Sequence, residues 1–255
     1  MDLFLMGDNL FIQSNIPYLV KSGFMGVVGA GGNGDSLAIY GTHGYQFGGK
    51  GGSASTDEQI TEQELGTDTA TEQVTTLSTP RRNGSNAQTA TEIYTMGGAN
   101  AYEEGVPQTA KTDIEEYTVG SATQSAHKSD LEFAVTYVFN NGYNATYAFV
   151  MSGSTLSALK TEIQQYEMGT DSSVSSPADV EYGVWGNAGG TNSTFCYSYT
   201  GSKVVGASRS DYIQTYEMEV DTTASHTGDS DPARYAMGGS GQSTTHIVGY
   251  GGDSD

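Results

Sequence analysis

The chain has 255 residues, with 30 acidic against 10 basic side chains and a formal net charge of −20. That balance disfavours electrostatic capture of nucleic acid or of an anionic bilayer, because both want a basic face. One cysteine, Cys196, excludes an intramolecular disulfide, and no apolar run approaches the roughly 18–20 residues of a membrane helix.

The first segment, Met1-Asp2-Leu3-Phe4-Leu5-Met6-Gly7-Asp8, has no basic leading region and too short an apolar stretch for a signal peptide. The body is rich in Gly, Ser, Thr, Asn and Tyr, including 35 glycines and 17 tyrosines. A protein made inside a cell and released by lysis, as virion proteins are, fits these features. An acidic cytosolic protein of a salty habitat fits the composition equally.

Along the chain, one pattern opening on Thr and closing on Gly recurs five times. Its copies run from Thr42 to Gly49, Thr91 to Gly98, Thr146 to Gly153, Thr194 to Gly201 and Thr245 to Gly252. Inside each copy, apolar residues alternate, and a period of two puts them on one sheet face. These positions are Tyr45 and Phe47, Tyr94 and Met96, Phe149 and Met151, Tyr197 and Tyr199, and Val248 and Tyr250. The closing glycines predict a tight turn at a strand end, where positive φ carries no steric cost for Gly. The repeated Thr is expected to satisfy a backbone group at the strand start.

A second motif follows the first four copies: Ile60-x-x-Gln63, Ile114-x-x-Tyr117, Ile163-x-x-Tyr166 and Ile213-x-x-Tyr216. Its fifth counterpart stands at the front, as Met1-x-x-Phe4-x-Met6-Gly7. Tyr117, Tyr166 and Tyr216 are expected to pack between repeats. An apolar element precedes the glycine doublets at Met25 to Val28, Val135 to Val138, Tyr182 to Trp185 and Arg234 to Met237. Its counterpart near Arg81-Arg82-Asn83-Gly84 is less apolar. Weaker, more polar strands are predicted in segments such as 71–78 and 171–176. Four short strands in a repeat of about 50 residues is the pattern of a β-propeller blade. The expected fold is therefore all-β, a five-bladed β-propeller in one domain, 1–255. Residues 1–20 would complete the last blade with 233–255, closing the ring without an exposed edge.

The order of apolar run, Gly-Gly, spacer, Tyr and variable last strand resembles the kelch-type repeat. The segment from Ala233 to Gly252, with Asp221 to Asp229 before it, is similar to a kelch-like repeat frequent in proteins of marine bacteriophages. The resemblance is specific over about one blade and looser elsewhere. The tryptophan often found in the last kelch strand has no counterpart, since Trp185 is read as lying on an inner strand. The resemblance implies a propeller in a phage particle.

Other motifs have plainer readings. Gly29-Ala30-Gly31-Gly32-Asn33-Gly34 matches a dinucleotide fingerprint, but a strand rather than a helix is predicted after it, so it reads as a turn. A glycosidase needs paired carboxylates in a funnel, and Asp35, Glu92 and Glu181 form no repeated constellation. His43, His127, His226 and His246 with Cys196 show no spacing of a copper site. The pairs Asp229/Asp231 and Asp253/Asp255 fall far short of a Ca²⁺ ligand set, and three Asn-x-Ser/Thr sequons, at Asn83, Asn144 and Asn192, read as by-products of the repeat. The expectation is a non-enzymatic structural or adhesive part of a phage particle: capsid decoration, fibre or tail-associated propeller. Its partners would be other virion proteins and a host-surface glycan, with no cofactor, no metal, no nucleic acid and no membrane insertion. A free carbohydrate-binding propeller is the alternative, with a glycosidase behind it.

Overall fold

The computed structural model describes the backbone of residues 2–6, 9–13, 18–20, 27–29, 36–40, 43–48, 58–64, 72–100, 108–140, 142–171, 175–192, 194–204, 208–218, 220, 225–242 and 247–253, and side chains at most described positions between 43 and 228. Every regular element among these residues is a β-strand. The all-β class is thus observed, built from several antiparallel sheets.

β1 (Asp2–Met6), β2 (Asn9–Gln13) and β3 (Tyr18–Val20) form one antiparallel sheet. Unit 1 is a sheet of β4 (Val27–Gly29), β5 (Ser36–Tyr40), β6 (His43–Phe47), β7 (Gln59–Glu64) and β8 (Glu72–Thr76). The strand β5 therefore follows the glycine-rich stretch, where a dinucleotide site would need a helix. Unit 2 holds β9 (Ser85–Gln88), β10 (Glu92–Met96), β11 (Lys111–Thr118) and β12 (Ala126–Val135). In unit 3, β13 (Val138–Asn140) precedes a sheet of β14 (Gly142–Tyr143), β15 (Tyr147–Ser154), β16 (Leu159–Glu167) and β17 (Ser175–Asp179). Unit 4 comprises β18 (Asn187–Thr191), β19 (Phe195–Val204), β20 (Ser208–Glu217) and the first part of β21 (Ser225–Gln242). The second part of β21 pairs with β22 (Ile247–Asp253). The described pairings place β1 beside β2 and β22 beside β21; a β1–β22 pairing is not among them.

The innermost strands differ from the apolar ones expected. β9 reads Ser-Asn-Ala-Gln and β18 reads Asn-Ala-Gly-Gly-Thr, and every residue of both is buried. Small and polar residues suit a place where several backbones converge. The apolar segment Val184-Trp185 lies just before β18, with Trp185 in an isolated bridge to Ser202 rather than on a strand. In the backbone, β4 lies beside β21 and β9, β9 beside β13, β13 beside β18, and β18 beside β21.

The core lies between units. Tyr45, Phe47, Ile60 and Leu77 of unit 1 meet Ile93 and Tyr117 of unit 2. Tyr94 and Met96 of unit 2 share a cluster with Ala148, Val150 and Tyr166 of unit 3. Phe149 and Met151, on the opposite face of β15, meet Cys196 and Tyr216 of unit 4. Tyr117 thus sits 5.8 Å from Tyr45 and 6.0 Å from Phe47, Tyr166 5.8 Å from Tyr94, and Tyr216 5.6 Å from Phe149, ring centre to ring centre. Tilted or edge-on pairs of this kind add about 0.5–1.5 kcal/mol beyond the area they bury.

Polar clasps join the same units. Gln164 on β16 accepts from Phe133 N at 3.1 Å and donates to Phe133 O at 3.3 Å. Gln214 on β20 does the same with Tyr182, at 2.8 and 2.9 Å. At the equivalent place on β11 stands Glu115, which accepts from Ser78 N at 2.7 Å and Thr79 N at 3.0 Å. A carboxylate cannot donate, and its charge is met by the Arg81 guanidinium. Arg81 is 1% exposed and Glu115 0%.

Candidate functional site at the entry to the first strands

Three short segments lead into the first strands of units 2, 3 and 4, and backbone hydrogen bonds show them to be equivalent. Arg82 exchanges bonds of 3.0 and 2.8 Å with Ala99, Thr136 bonds of 2.8 and 3.0 Å with Ser154, and Trp185 bonds of 3.1 and 2.8 Å with Ser202. The next residue in each segment has positive φ: 60° at Asn83, 57° at Tyr137 and 67° at Gly186. Neighbouring segments are also tied together, Val138 N donating to Asn83 O at 3.3 Å and Gly186 N to Tyr137 O at 2.8 Å.

Side chains from these segments gather at one end of the first strands. Tyr137 and Trp185, both half-buried, meet edge-on with ring centres 4.9 Å apart and an interplanar angle of 76°. Gln108 lies between Tyr137 and Arg82. With its amide oriented by its neighbours, the oxygen accepts from Arg82 Nε at 2.9 Å and from Nη2. The amide nitrogen then stands 3.4 Å from the Tyr137 hydroxyl. The cluster offers aromatic surface, an amide and a guanidinium, which is a recognition set rather than a general acid–base pair.

The residues singled out by the repeat fall elsewhere. Thr42, Thr245 and Gly49 lie outside the described residues, and Gly252 lies in β22. Thr91, Thr146 and Thr194 are exposed in hairpin turns. The capping atom comes from two residues earlier. Asn144 Oδ1 accepts from Thr146 N and Tyr147 N at 2.8 and 2.7 Å, and Asn192 Oδ1 from Thr194 N and Phe195 N at the same distances. In unit 2, Thr89 Oγ1 takes this role toward Thr91 and Glu92. The repeated Thr instead offers its carbonyl, to Val119, Met168 and Met218 N–H respectively.

Gly98, Gly153 and Gly201 have φ of 94°, 124° and 107°. In units 3 and 4 the closing glycine, preceded by Ser152 and Thr200 respectively, sits in a bulge inside a continuing strand, with register shifts at Met151/Gly153 and Tyr199/Gly201, rather than at the strand end expected. Gly98 N donates to Val135 O at 2.8 Å and Gly153 N to Val184 O at 3.0 Å, linking each unit to the segment that enters the next. A Cβ at Gly153 would stand 2.5 Å from Val138 Cγ2, and one at Gly98 2.7 Å from Arg82 O. Tyr117, Tyr166 and Tyr216 are buried in the inter-unit clusters. Burial, with Asp171 and Glu116 nearby, pushes the Tyr166 hydroxyl up to about 12.

Other titratable groups are engaged locally. Asp113, His127 and Asp130 bring ligand atoms within 4.8 Å of one another. Asp113, however, faces Arg81 at 3.7 Å, Lys111 at 3.6 Å and the Thr79 hydroxyl at 3.0 Å. Asp130 accepts from Thr112 Oγ1 at 3.0 Å and lies 3.4 Å from His127. The grouping is a surface charge network. Glu92 hydrogen-bonds Thr89 and Thr91 at a hairpin, Glu181 is exposed, and Asp35 lies outside the described residues. His43 lies 3.4 Å from Glu62. Cys196 is buried, and that burial pushes its thiol up. The side chains of His226, Asp229, Asp231 and Asp253, and all of His246 and Asp255, lie outside the described set. No helix among the described residues is long and apolar enough to cross a membrane.

Sequence reasoning missed Gln108, Tyr137 and the clasp residues Glu115, Gln164 and Gln214. The clasp had a signal: a long amide or acid directly after Ile114, Ile163 and Ile213. The Tyr137 cluster had none, because Gln108 comes from a loop and Tyr137 occupies a place filled elsewhere by Asn and Gly.

No family model and no curated protein matches the chain. Its backbone is similar to the solved structure of YjhT, with a TM-score of 0.63 and 12% identity, over 82% of this chain and 69% of that one. At that identity the likeness is one of fold.

Proposed function

We propose that the protein is a non-enzymatic, kelch-like five-bladed propeller serving as a structural or adhesive component of a phage particle. It would be a capsid decoration, fibre or tail-associated ring, bound to other virion proteins and touching a host-surface glycan. The whole of 1–255 is read as one domain, its last blade completed by residues 1–20 with 233–255. The observation that carries the architecture is the cycle of neighbours β4, β9, β13, β18 and β21, which returns to β4. Supporting the particle role is the resemblance of Ala233 to Gly252 to a kelch-like repeat of phage proteins. A net charge of −20 keeps copies apart until specific contacts bring them together. Mass spectrometry of purified particles from lysates containing the protein tests this reading. It should appear in several copies per particle, and its absence from every particle would end the proposal.

A free carbohydrate-binding propeller is the second reading, favoured by the Tyr137–Trp185 pair. Glycan binding by a protein found only outside particles would select it.

A further inference from the structure

We infer that Tyr137, Trp185, Arg82 and Gln108 form a binding site for a neutral pyranose sugar. The inference deepens the adhesive part of the proposed role and rests on it only for the biological source of the sugar. Its first support is backbone strain. At the positive-φ position shared by three units, unit 2 has Asn83 and unit 4 has Gly186, the residue types that tolerate this conformation. Unit 3 places Tyr137 there at φ 57°. A bulky residue held in that region costs on the order of 1–3 kcal/mol, and such outliers gather at ligand clamps. The ring is not needed to fill a core, because it remains half-buried.

Trp185 is the only tryptophan of the chain, and it too is half-buried, edge-on to Tyr137. Electron-rich aromatic faces attract the weakly positive C–H groups on the apolar face of a pyranose. The Gln108 amide stands 3.4 Å from the Tyr137 hydroxyl and holds the Arg82 guanidinium through Nε at 2.9 Å, which supplies partners for sugar hydroxyls next to the Tyr137 ring. Charge selects the class. A carboxylate recognised bidentately uses a guanidinium edge of two N–H groups, and Arg82 turns its Nε and Nη2 edge toward Gln108. The protein's charge of −20 further opposes an acidic glycan at long range.

The lone tryptophan makes the test site-specific. Emission of Trp185 in the full chain is followed while methyl glucopyranoside, methyl galactopyranoside and methyl mannopyranoside are added, with glucuronate as the acidic arm. Concentrations reach about tenfold above the roughly 1 mM dissociation constant of a weak ligand. A saturable change with at least one neutral sugar is expected, weakened about tenfold or more in Tyr137→Gly. This variant should melt close to the parent, because Gly is native to the equivalent position in unit 4. If it does not fold, Tyr137→Asn, the unit 2 residue, replaces it. No saturable change with any neutral sugar, an equal response in the folded variant, or a response to glucuronate alone would overturn the inference. A failed titration leaves the particle census untouched, so the two proposals fail separately.

Discussion

Unit 2 and units 3 and 4 solve one problem in two ways. Each must fasten its third-strand face to the segment leaving the preceding unit. Units 3 and 4 use Gln164 and Gln214, whose amides both accept from and donate to a single residue of that segment. Unit 2 has Glu115 there, and where the others carry Val135 and Val184 at the entry it carries Arg81. Neither change works alone. A buried carboxylate without a cation, or a buried guanidinium without an anion, carries a large desolvation cost. Together they compensate each other's charge, and Arg81 also donates to Asp113 O at 2.8 Å and Gly97 O at 3.1 Å. The lesson is that repeat positions exchange chemistry in pairs.

The largest expected effect comes from breaking that pair. Arg81→Val or Glu115→Gln alone should destabilise the protein by about 3–5 kcal/mol, measured by urea unfolding at neutral pH. By contrast, Gln164→Ala removes a neutral clasp and should cost about 1–3 kcal/mol. The inter-unit glycines come next. Gly153→Ala should cost about 1–3 kcal/mol, because it combines φ of 124° with a Cβ 2.5 Å from Val138 Cγ2. Gly120→Ala, at φ 75° with nothing within 4 Å, should cost only about 1 kcal/mol. Equal losses at the two glycines would contradict the close approach between units.

Acid also separates the units. Burial pushes the Glu115 carboxyl up, but Arg81 and hydrogen bonds from Ser125, Thr79 and Ser78 outweigh it and hold the group below its ordinary value of 4.5. A depressed carboxylate stabilises the fold above its unfolded value, and that contribution is lost as pH falls through the folded one. Thermal melts should therefore fall more steeply below about pH 4.5 in the parent than in a variant carrying Val at 81 and Gln at 115. A parallel decline would show that Glu115 is not held by Arg81. The smallest contrast lies at the hairpins. Asn144→Ala should cost about 1 kcal/mol for its two lost bonds, whereas Thr146→Ala, on an exposed side chain, should stay within about 0.5 kcal/mol.

Much of this was legible in the sequence. The alternation in Tyr94-x-Met96 and Phe149-x-Met151 marks the faces that meet the next unit, and the polar strand predicted in 71–78 corresponds to β8, while the one predicted in 171–176 overlaps β17 only at Ser175 and Ser176. The innermost strands were not legible, because Asn187 to Thr191 are buried by convergence rather than hydrophobicity and carry no apolar signal. The capping role read onto Thr146 and Thr194 belongs to Asn144 and Asn192, since an Asx side chain reaches two N–H groups ahead of it. Of the candidate site, Trp185 and the Arg81-Arg82-Asn83-Gly84 segment that holds Arg82 were marked out beforehand. Tyr137 meets Trp185 across 48 residues of chain and Gln108 meets Tyr137 across 29, both through tertiary contacts.

The equivalence of the units is tested most directly by the double substitution Arg81→Val with Glu115→Gln, which gives unit 2 the residues native to unit 3. Its unfolding free energy should return to within about 1 kcal/mol of the parent, a coupling of several kcal/mol against the single variants. Losses that simply add would contradict the account, because position 115 would then not be the clasp that Gln164 and Gln214 form in their own units.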